Sequence, residues 1–280
     1  RTQWQAVATR PFTTGLLSFD MPVPGVKNLA VGAQIANQNA GQGNYNVFAF
    51  LASAAYDFKL DKGNAHHLSV GIQGGFFQKS VDPDRLFFQQ QYSPMSGGGF
   101  DAALPNGESF ASQSVFQHDL NAGLMYYYAK PSARFNPFIG GAVFHITEPE
   151  ETFFSLDNKI PMRFLVHGGS KINVNQKIQF VLKALYMQQR NASELTYSLL
   201  LHYYLESSDA YIIFGPTYRN KDAAIIEGGI RMNRWEARIS YDINTSSLRT
   251  TSNGRGGFEI GVTYIMRKFN PNPIQSCPRL

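Results

Sequence analysis

The sequence predicts an all-β fold: a transmembrane, antiparallel, up-and-down β-barrel of about fourteen strands. Three observations carry that expectation. Apolar and polar residues alternate with a period of two along most of the chain, the pitch of a strand whose side chains point to opposite faces. The apolar faces are rich in aromatics, and many are about ten residues long, enough to cross a bilayer at a tilt. The connections also differ by parity, long at one end and short at the other, as in outer-membrane barrels.

The clearest segment is Trp235 to Asn244. Trp235, Ala237, Ile239, Tyr241 and Ile243 alternate with Glu236, Arg238, Ser240, Asp242 and Asn244. Taking the chain in order, Thr13 to Met21 places Gly15, Leu17, Phe19 and Met21 on one side, and Pro22, Pro24 and Gly25 turn it. Leu29 to Ile35 places Leu29, Val31, Ala33 and Ile35 together. Tyr45 to Leu60 lines one face with Phe48, Phe50, Ala52, Ala54, Tyr56, Phe58 and Leu60, and Asp61 to Asn64 is a tight turn. His67 to Lys79 sets Leu68, Val70, Ile72 and Phe76 against Ser69, Gln73 and Lys79.

Ser114 to Lys130 sets Phe116, Leu120, Ala122, Leu124, Tyr126 and Tyr128 against Gln117, Asp119, Asn121 and Gly123. Pro137 to Thr147 is weaker, with Phe138, Ala142, Phe144 and Ile146 on the apolar side. Met162 to Val174, Lys177 to Gln189 and Glu194 to Glu206 alternate cleanly, the last through Leu195, Tyr197, Leu199, Leu201, Tyr203 and Leu205. Tyr211 to Arg219 and Ala223 to Met232 precede the Trp235 segment. Gly257 to Lys268 ends the pattern with Phe258, Ile260, Val262, Tyr264 and Met266 on one face.

These are about thirteen strands. Long loops follow those ending near Lys79, Thr147 and Asn244, the fourth, sixth and twelfth; the turns after odd-numbered strands are short. A bacterial barrel needs an even count, so the sequence predicts one more strand, a first strand that precedes Arg1 or is truncated in this chain. It reads as one domain, 1–280, with outer loops 80–112, 148–160 and 245–256 and a periplasmic tail 269–280.

Composition excludes several alternatives. Charged residues are 16% and aromatics 14% of the 280 residues, with 25 glycines. No run of about 18 apolar residues occurs, so membrane helices are excluded; Leu199 to Leu205 is short and broken by His202. The net charge is +5, but Lys and Arg are scattered, with no basic cluster or recognition helix for nucleic acid. Cys277 is the single cysteine, which excludes an intramolecular disulfide.

A soluble sandwich would also alternate. A barrel wall with lipid outside accounts better for aromatic faces on nearly every strand. It also explains the opposite faces, where Glu227, Arg231, Glu236, Arg238, Lys171, Lys183, Glu259 and Arg267 can pair across a narrow lumen with room left by Gly71, Gly75, Gly123, Gly169 and Gly229. Girdles are expected from Phe58, Tyr126 to Tyr128, Phe138, Tyr203, Tyr204 and Trp235 at the periplasmic ends. Phe76, Phe77, Tyr186 and Phe258 belong to the outer ends.

No catalytic, cofactor or metal site is expected. The six histidines lack helical metal spacing, and His118 and Asp119 point to opposite faces of one strand. Serines lack an elbow motif. Asp82 and Asp84, or Glu148, Glu150 and Glu151, lack calcium-loop spacing. Gly97 to Gly99 has no following Lys-Ser/Thr for phosphate.

Several blocks carry a family resemblance that spans the whole chain. They are Gln3-Trp4 followed by Thr13-Thr14, Leu29 to Gln34 running into Asn39-Ala40-Gly41, Tyr56-Asp57-Phe58-Lys59-Leu60, and Leu68 to Gly75 with Gln78-Lys79. The terminal Cys277-Pro278-Arg279-Leu280 looks like a Cys-Pro-Arg-Phe ending with Leu in place of Phe. On these residues the chain resembles the PorP/SprF family of outer-membrane proteins associated with the type IX secretion system of the Bacteroidota. The resemblance implies a non-enzymatic barrel in the cell outer membrane. Its partners would be outer-membrane lipid, a secreted surface protein or adhesin carrying a C-terminal sorting domain, and secretion-machinery subunits of the periplasm or outer membrane.

Binding is expected at the outer loops, through Phe87, Phe88, Tyr92, Phe100, Phe153 and Phe154. Cys277 and Arg279 in the tail would dock a periplasmic subunit. The alternative from a different class is an outer-membrane channel for small or hydrophobic solutes.

Overall fold

The computed structural model describes residues 1–3, 10–108, 110–130, 132–154, 157–247 and 249–266. The strands are β1 Thr2–Gln3, β2 Phe12–Pro22, β3 Leu29–Ala40, β4 Tyr45–Lys59, β5 His66–Ser80, β6 Tyr92–Ser93, β7 Gly99–Phe100 and β8 Ser114–Tyr128. They continue as β9 Phe135–Phe144, β10 Arg163–Asn173, β11 Ile178–Gln189, β12 Ala192–Leu205, β13 Ala210–Arg219, β14 Ala223–Met232, β15 Trp235–Asn244 and β16 Arg255–Tyr264. Among the described residues, all but β6 and β7 form one closed barrel of fourteen strands. Every neighbouring pair is antiparallel, for example Ile239 opposite Gly228 and Ile260.

The fourteenth strand is the two-residue β1 at the start of the chain, a truncated first strand: Thr2 pairs with both Thr13 and Phe258, and Gln3 with Phe12. Two residues are too short a stretch for a period of two to register, which is why alternation alone did not find it.

Closure gives the wall two solvents. Leu17, Val31, Ile72, Leu124, Phe164, Ile239 and Ile260 are all exposed on the outside. A belt of large apolar side chains facing outward around a closed sheet is the signature of a lipid-facing surface. The backbone tolerates this because closure bonds N–H and C=O groups between strands, which an open sheet at membrane depth could not do.

Four girdle positions, and the apolar face of β9, are corrected. Phe138 is only 5% exposed, and Tyr127 and Phe77 are also buried. They project into the lumen, and Tyr127 and Phe138 form an internal cluster with Ala129. On β9 it is Phe135 and Ile139 that face outward. Phe138, Ala142 and Phe144 share the inner face, with the buried polar Asn136 at the same parity. Large apolar groups on both sides of β9 hid the direction. Tyr204 also points to the inner rim, with its ring 5.0 Å from Tyr211 and its hydroxyl donating to Asp209 at 2.8 Å.

Phe138 has room because its neighbour is glycine. A Cβ on Gly169 would lie 2.7 Å from the Phe138 ring and 2.0 Å from the Leu182 carbonyl oxygen. Backbone oxygen cannot yield cheaply, so this inner position accepts no side chain.

The short turns at one end use Asn in left-handed conformation, Asn28, Asn64 and Asn233 at φ 64°, 49° and 55°; Asn tolerates that region better than most residues. In the turn after β4, Asp61 Oδ1 accepts the amides of His66 at 2.7 Å and Ala65 at 2.9 Å. These bonds, His66 first, hold the Asp61 carboxyl below its ordinary pKa. The long connections gather at the other end, after β5, β9 and β15, which makes that end the outer one.

Candidate functional site

The longest connection, 81–113, is folded rather than loose. It opens with a 3-10 turn at Pro83–Arg85, and a second follows at Gln89–Gln91. Proline presets the first turn's φ. Gln91 ties the segment together. Its Oε1 accepts the Phe88 amide at 3.1 Å, and its Nε2 donates to the Leu104 carbonyl at 3.1 Å. Its carbonyl accepts the Asp101 amide at 2.8 Å. A glutamine can satisfy donor and acceptor needs together, which is why it is buried here. The hairpin of β6 and β7 then projects from this knot, with Tyr92 opposite Phe100.

Two aromatic groups result. Phe100 lies 5.6 Å from Phe87 and 5.8 Å from Tyr92 between ring centroids, within the range of favourable aromatic pairing. All three are about half exposed, Phe87 at 54%, and Met95 beside the hairpin is 96% exposed. The second group joins this loop to the loop between β9 and β10. Phe110 lies 6.4 Å from Phe88 and 5.0 Å from Phe154. The Ala111 amide donates to the Phe153 carbonyl at 2.8 Å, and the Phe153 ring meets Tyr45 edge-on at 6.4 Å.

Polar contacts anchor the pair of loops to the barrel. Lys79 forms an ion pair with Glu151, the Asp82 amide donates to the Gly43 carbonyl at 2.8 Å, and Arg85 pairs with Asp82 at 2.7 Å. The backbones of Glu150 and Lys159 form an isolated β-bridge. Of the acidic residues weighed for calcium, Asp82 and Glu151 thus have their carboxylates engaged by Arg85 and Lys79. Among the described residues no group of three His, Cys, Asp or Glu side chains converges as for a metal.

β9 ends at Phe144, earlier than the pattern suggested, because His145 adopts φ 58°. Its ring Nδ1 then meets Asp119 at 2.9 Å, and its amide donates to Asn121 at 3.0 Å. Asn121 in turn donates to Gln73 at 3.1 Å. A polar network therefore underlies the loops inside the outer mouth. The third long connection, 245–254, is stitched separately, with Asn244 Nδ2 donating to Ser252 Oγ at 3.0 Å.

Of the residues expected from sequence, Phe87, Tyr92 and Phe100 come together on an open face, while Phe88, Phe153 and Phe154 join the two loops. Cys277 and Arg279 lie outside the described residues. Phe110, Gln91 and Met95 were missed. Loop positions have no period to read, although an isolated large apolar residue in a polar loop, as Phe110 is, was an available signal.

Deeper in the lumen the charges pair along the wall rather than across it. Arg231 meets Glu236 at 2.5 Å, and Arg238 meets Glu236 and Glu227, each at 2.6 Å. Nearer the outer rim, Asp242 receives Arg1 at 2.9 Å and Arg219 at 3.5 Å. On the neighbouring strands β11 to β13, Val181, Leu200 and Ile213 pack together on the inner wall, and Ile213 is wholly inaccessible.

No curated protein matches the chain. A family of outer-membrane secretion components does match, over residues 1–264, which include every described strand. The closed barrel with its outward apolar belt agrees with that match. The chain is an outer-membrane β-barrel component belonging to the family of type IX secretion system membrane proteins PorP/SprF.

Proposed function

We propose that this barrel holds a secreted surface protein at the outer rim, binding it through the aromatic platform of the 81–113 loop. The partner would carry a C-terminal sorting domain. The observation that carries the reading is the exposed cluster of Phe87, Tyr92 and Phe100 beside Met95. Rigid aromatics present large contact area at low entropic cost and dominate protein interfaces. Methionine adds an adaptable apolar surface. The platform is also braced: Gln91 ties its own loop together, Phe110 packs against Phe154 of the neighbouring loop, and that loop is held to β5 by the Lys79–Glu151 ion pair. A braced platform loses less freedom on binding than a free loop.

The mutually paired Arg231, Arg238, Glu227 and Glu236 inside the barrel favour this protein-binding role over conduction, because paired long side chains can close a narrow barrel. The test is co-purification of the surface partner with a Phe87→Ala, Tyr92→Ala, Phe100→Ala triple variant. Insertion is checked by heat-modifiable migration. Loss of the partner with normal insertion supports the reading. Undiminished retention refutes it.

A further inference from the structure

We propose that the outside of the wall over β10 to β13 holds one ester-linked membrane lipid in a fixed place, its acyl chain in a groove and its ester carbonyl at Tyr197 and Tyr218. The site belongs to the lipid-facing surface of the barrel and does not depend on the role of the outer loops.

The groove follows from register. Gly168 on β10 stands opposite Ile139 on β9 and Ala184 on β11. Ala184 stands opposite Tyr197 on β12, and Tyr197 opposite Tyr218 on β13. Residues opposite one another point to the same side of a sheet, and Ile139, Tyr197 and Tyr218 are all exposed on the outside. One outward row thus carries two small residues between large ones. Leu182 and Leu199, opposite each other, continue the hollow one row toward the periplasm. Its volume is about 620 Å³, inside the range of about 300–1,000 Å³ usual for small organic ligands.

The wall is interrupted under the same hollow. Pro216 on β13 lines it and has no N–H to give to β12. Pairing between β12 and β13 includes Ser198–Thr217, then stops, and resumes at Leu201–Phe214. A wall short of one rung gains from hydrocarbon packed firmly against it, because surfaces that border a void forfeit dispersion contacts.

The shape and chemistry select a lipid chain as the occupant. The hollow lies within the belt that already faces hydrocarbon. A second barrel would present a convex wall, which does not enter a groove. A helix measures about 10–12 Å across with its side chains, roughly twice the step between the two strands that carry Gly168 and Ala184. The polar end agrees. Tyr218 is the last residue but one of β13, at the outer rim. Among the described residues neither Tyr197 nor Tyr218 gives its hydroxyl to a protein group. Tyrosine at a membrane interface keeps its ring in the apolar layer and its hydroxyl bonded at the headgroup level. The ester carbonyl at the head of an acyl chain is an acceptor at that level.

The test uses the intact protein in dodecyl maltoside micelles, a detergent without an ester. The probe is a phosphatidylcholine with a diazirine in one acyl chain, and mass spectrometry after illumination locates the crosslinks. Crosslinking is expected to saturate at a single lipid per barrel and to concentrate on Leu182, Ala184 and Leu199 rather than on the exposed Ile72 of β5. Ala184→Phe, which fills the hollow with another lipid-compatible side chain, should abolish these crosslinks; Ala184→Leu serves if that variant does not fold. A diether phosphatidylcholine should compete about fivefold less well than the diester, the loss of one neutral hydrogen bond. The Tyr197→Phe, Tyr218→Phe double variant should erase that difference. Crosslinks scattered evenly over the belt, undiminished crosslinking in the Ala184 variants, equal competition by the diether, or crosslinks at the groove between two barrels would each overturn the proposal.

Discussion

Replacing Ile239 by Arg tests the membrane reading most directly. Ile239 is the fifth residue of ten in β15, and its neighbours Gly228 and Ile260 stand at the middle of β14 and β16. Its side chain is 55% exposed on the outside of the barrel. In water such a substitution would be close to neutral, within about 0.5 kcal/mol for an exposed site. Facing hydrocarbon near the midplane, Arg costs roughly 2–4 kcal/mol. The two outcomes differ by one to three powers of ten in the folding equilibrium, since about 1.4 kcal/mol is tenfold. Ser240→Arg is the paired control. Ser240 is the next residue, faces the lumen, and stands opposite Glu227 and Glu259, so an added cation there finds carboxylates. Urea titration of folding into lipid vesicles measures both. Equal, small penalties at the two positions would show that lipid does not solvate the Ile239 face, and the argument built on the outward apolar belt would fail.

Three further outcomes follow from the lumen and the periplasmic turns. Gly169→Val should destabilise the barrel by about 1–3 kcal/mol in the same titration, because its Cβ meets the Leu182 carbonyl and the Phe138 ring; Gly228→Ala, where a Cβ meets nothing within 4 Å, should cost far less. Glu236→Gln removes the carboxylate that both Arg231 and Arg238 contact, and should cost about 3 kcal/mol, as when one member of a buried charge network is lost. Because folding lowers the Asp61 pKa, its contribution is complete above the unfolded value of about 3.9 and is lost as pH falls through the lower folded value. Asp61→Asn should therefore flatten the unfolding-temperature profile below about pH 4 and leave its shape unchanged near neutrality.

How much of this was legible beforehand depends on what fixes each residue. Strands such as Trp235–Asn244 were readable because one face meets lipid and the other meets charge, so the period of two is written in the residue types. The same logic explains the failure at β9. Phe135 and Ile139 face lipid while Phe138 and Phe144 face inward, and with aromatics on both faces the alternation loses its sign. Phe138 looks outward only until its neighbour Gly169 is seen across the sheet, a relation between residues far apart in sequence.

The platform was half legible for a related reason. Composition marks Phe87, Tyr92 and Phe100 as candidates, because apolar residues in a long loop need a reason to be there. Composition cannot say which aromatics meet solvent and which brace the loop. That division is set by Gln91, whose three bonds to Phe88, Leu104 and Asp101 turn one aromatic inward and leave its neighbour outside. The same holds for the charges of the lumen. The inward direction of Glu227 and Glu236 is written in the period, but their arginine partners emerge only once register brings β14 and β15 side by side. Pattern sets the face of a residue; register sets its partner, and it is partners that turn a barrel wall into a site.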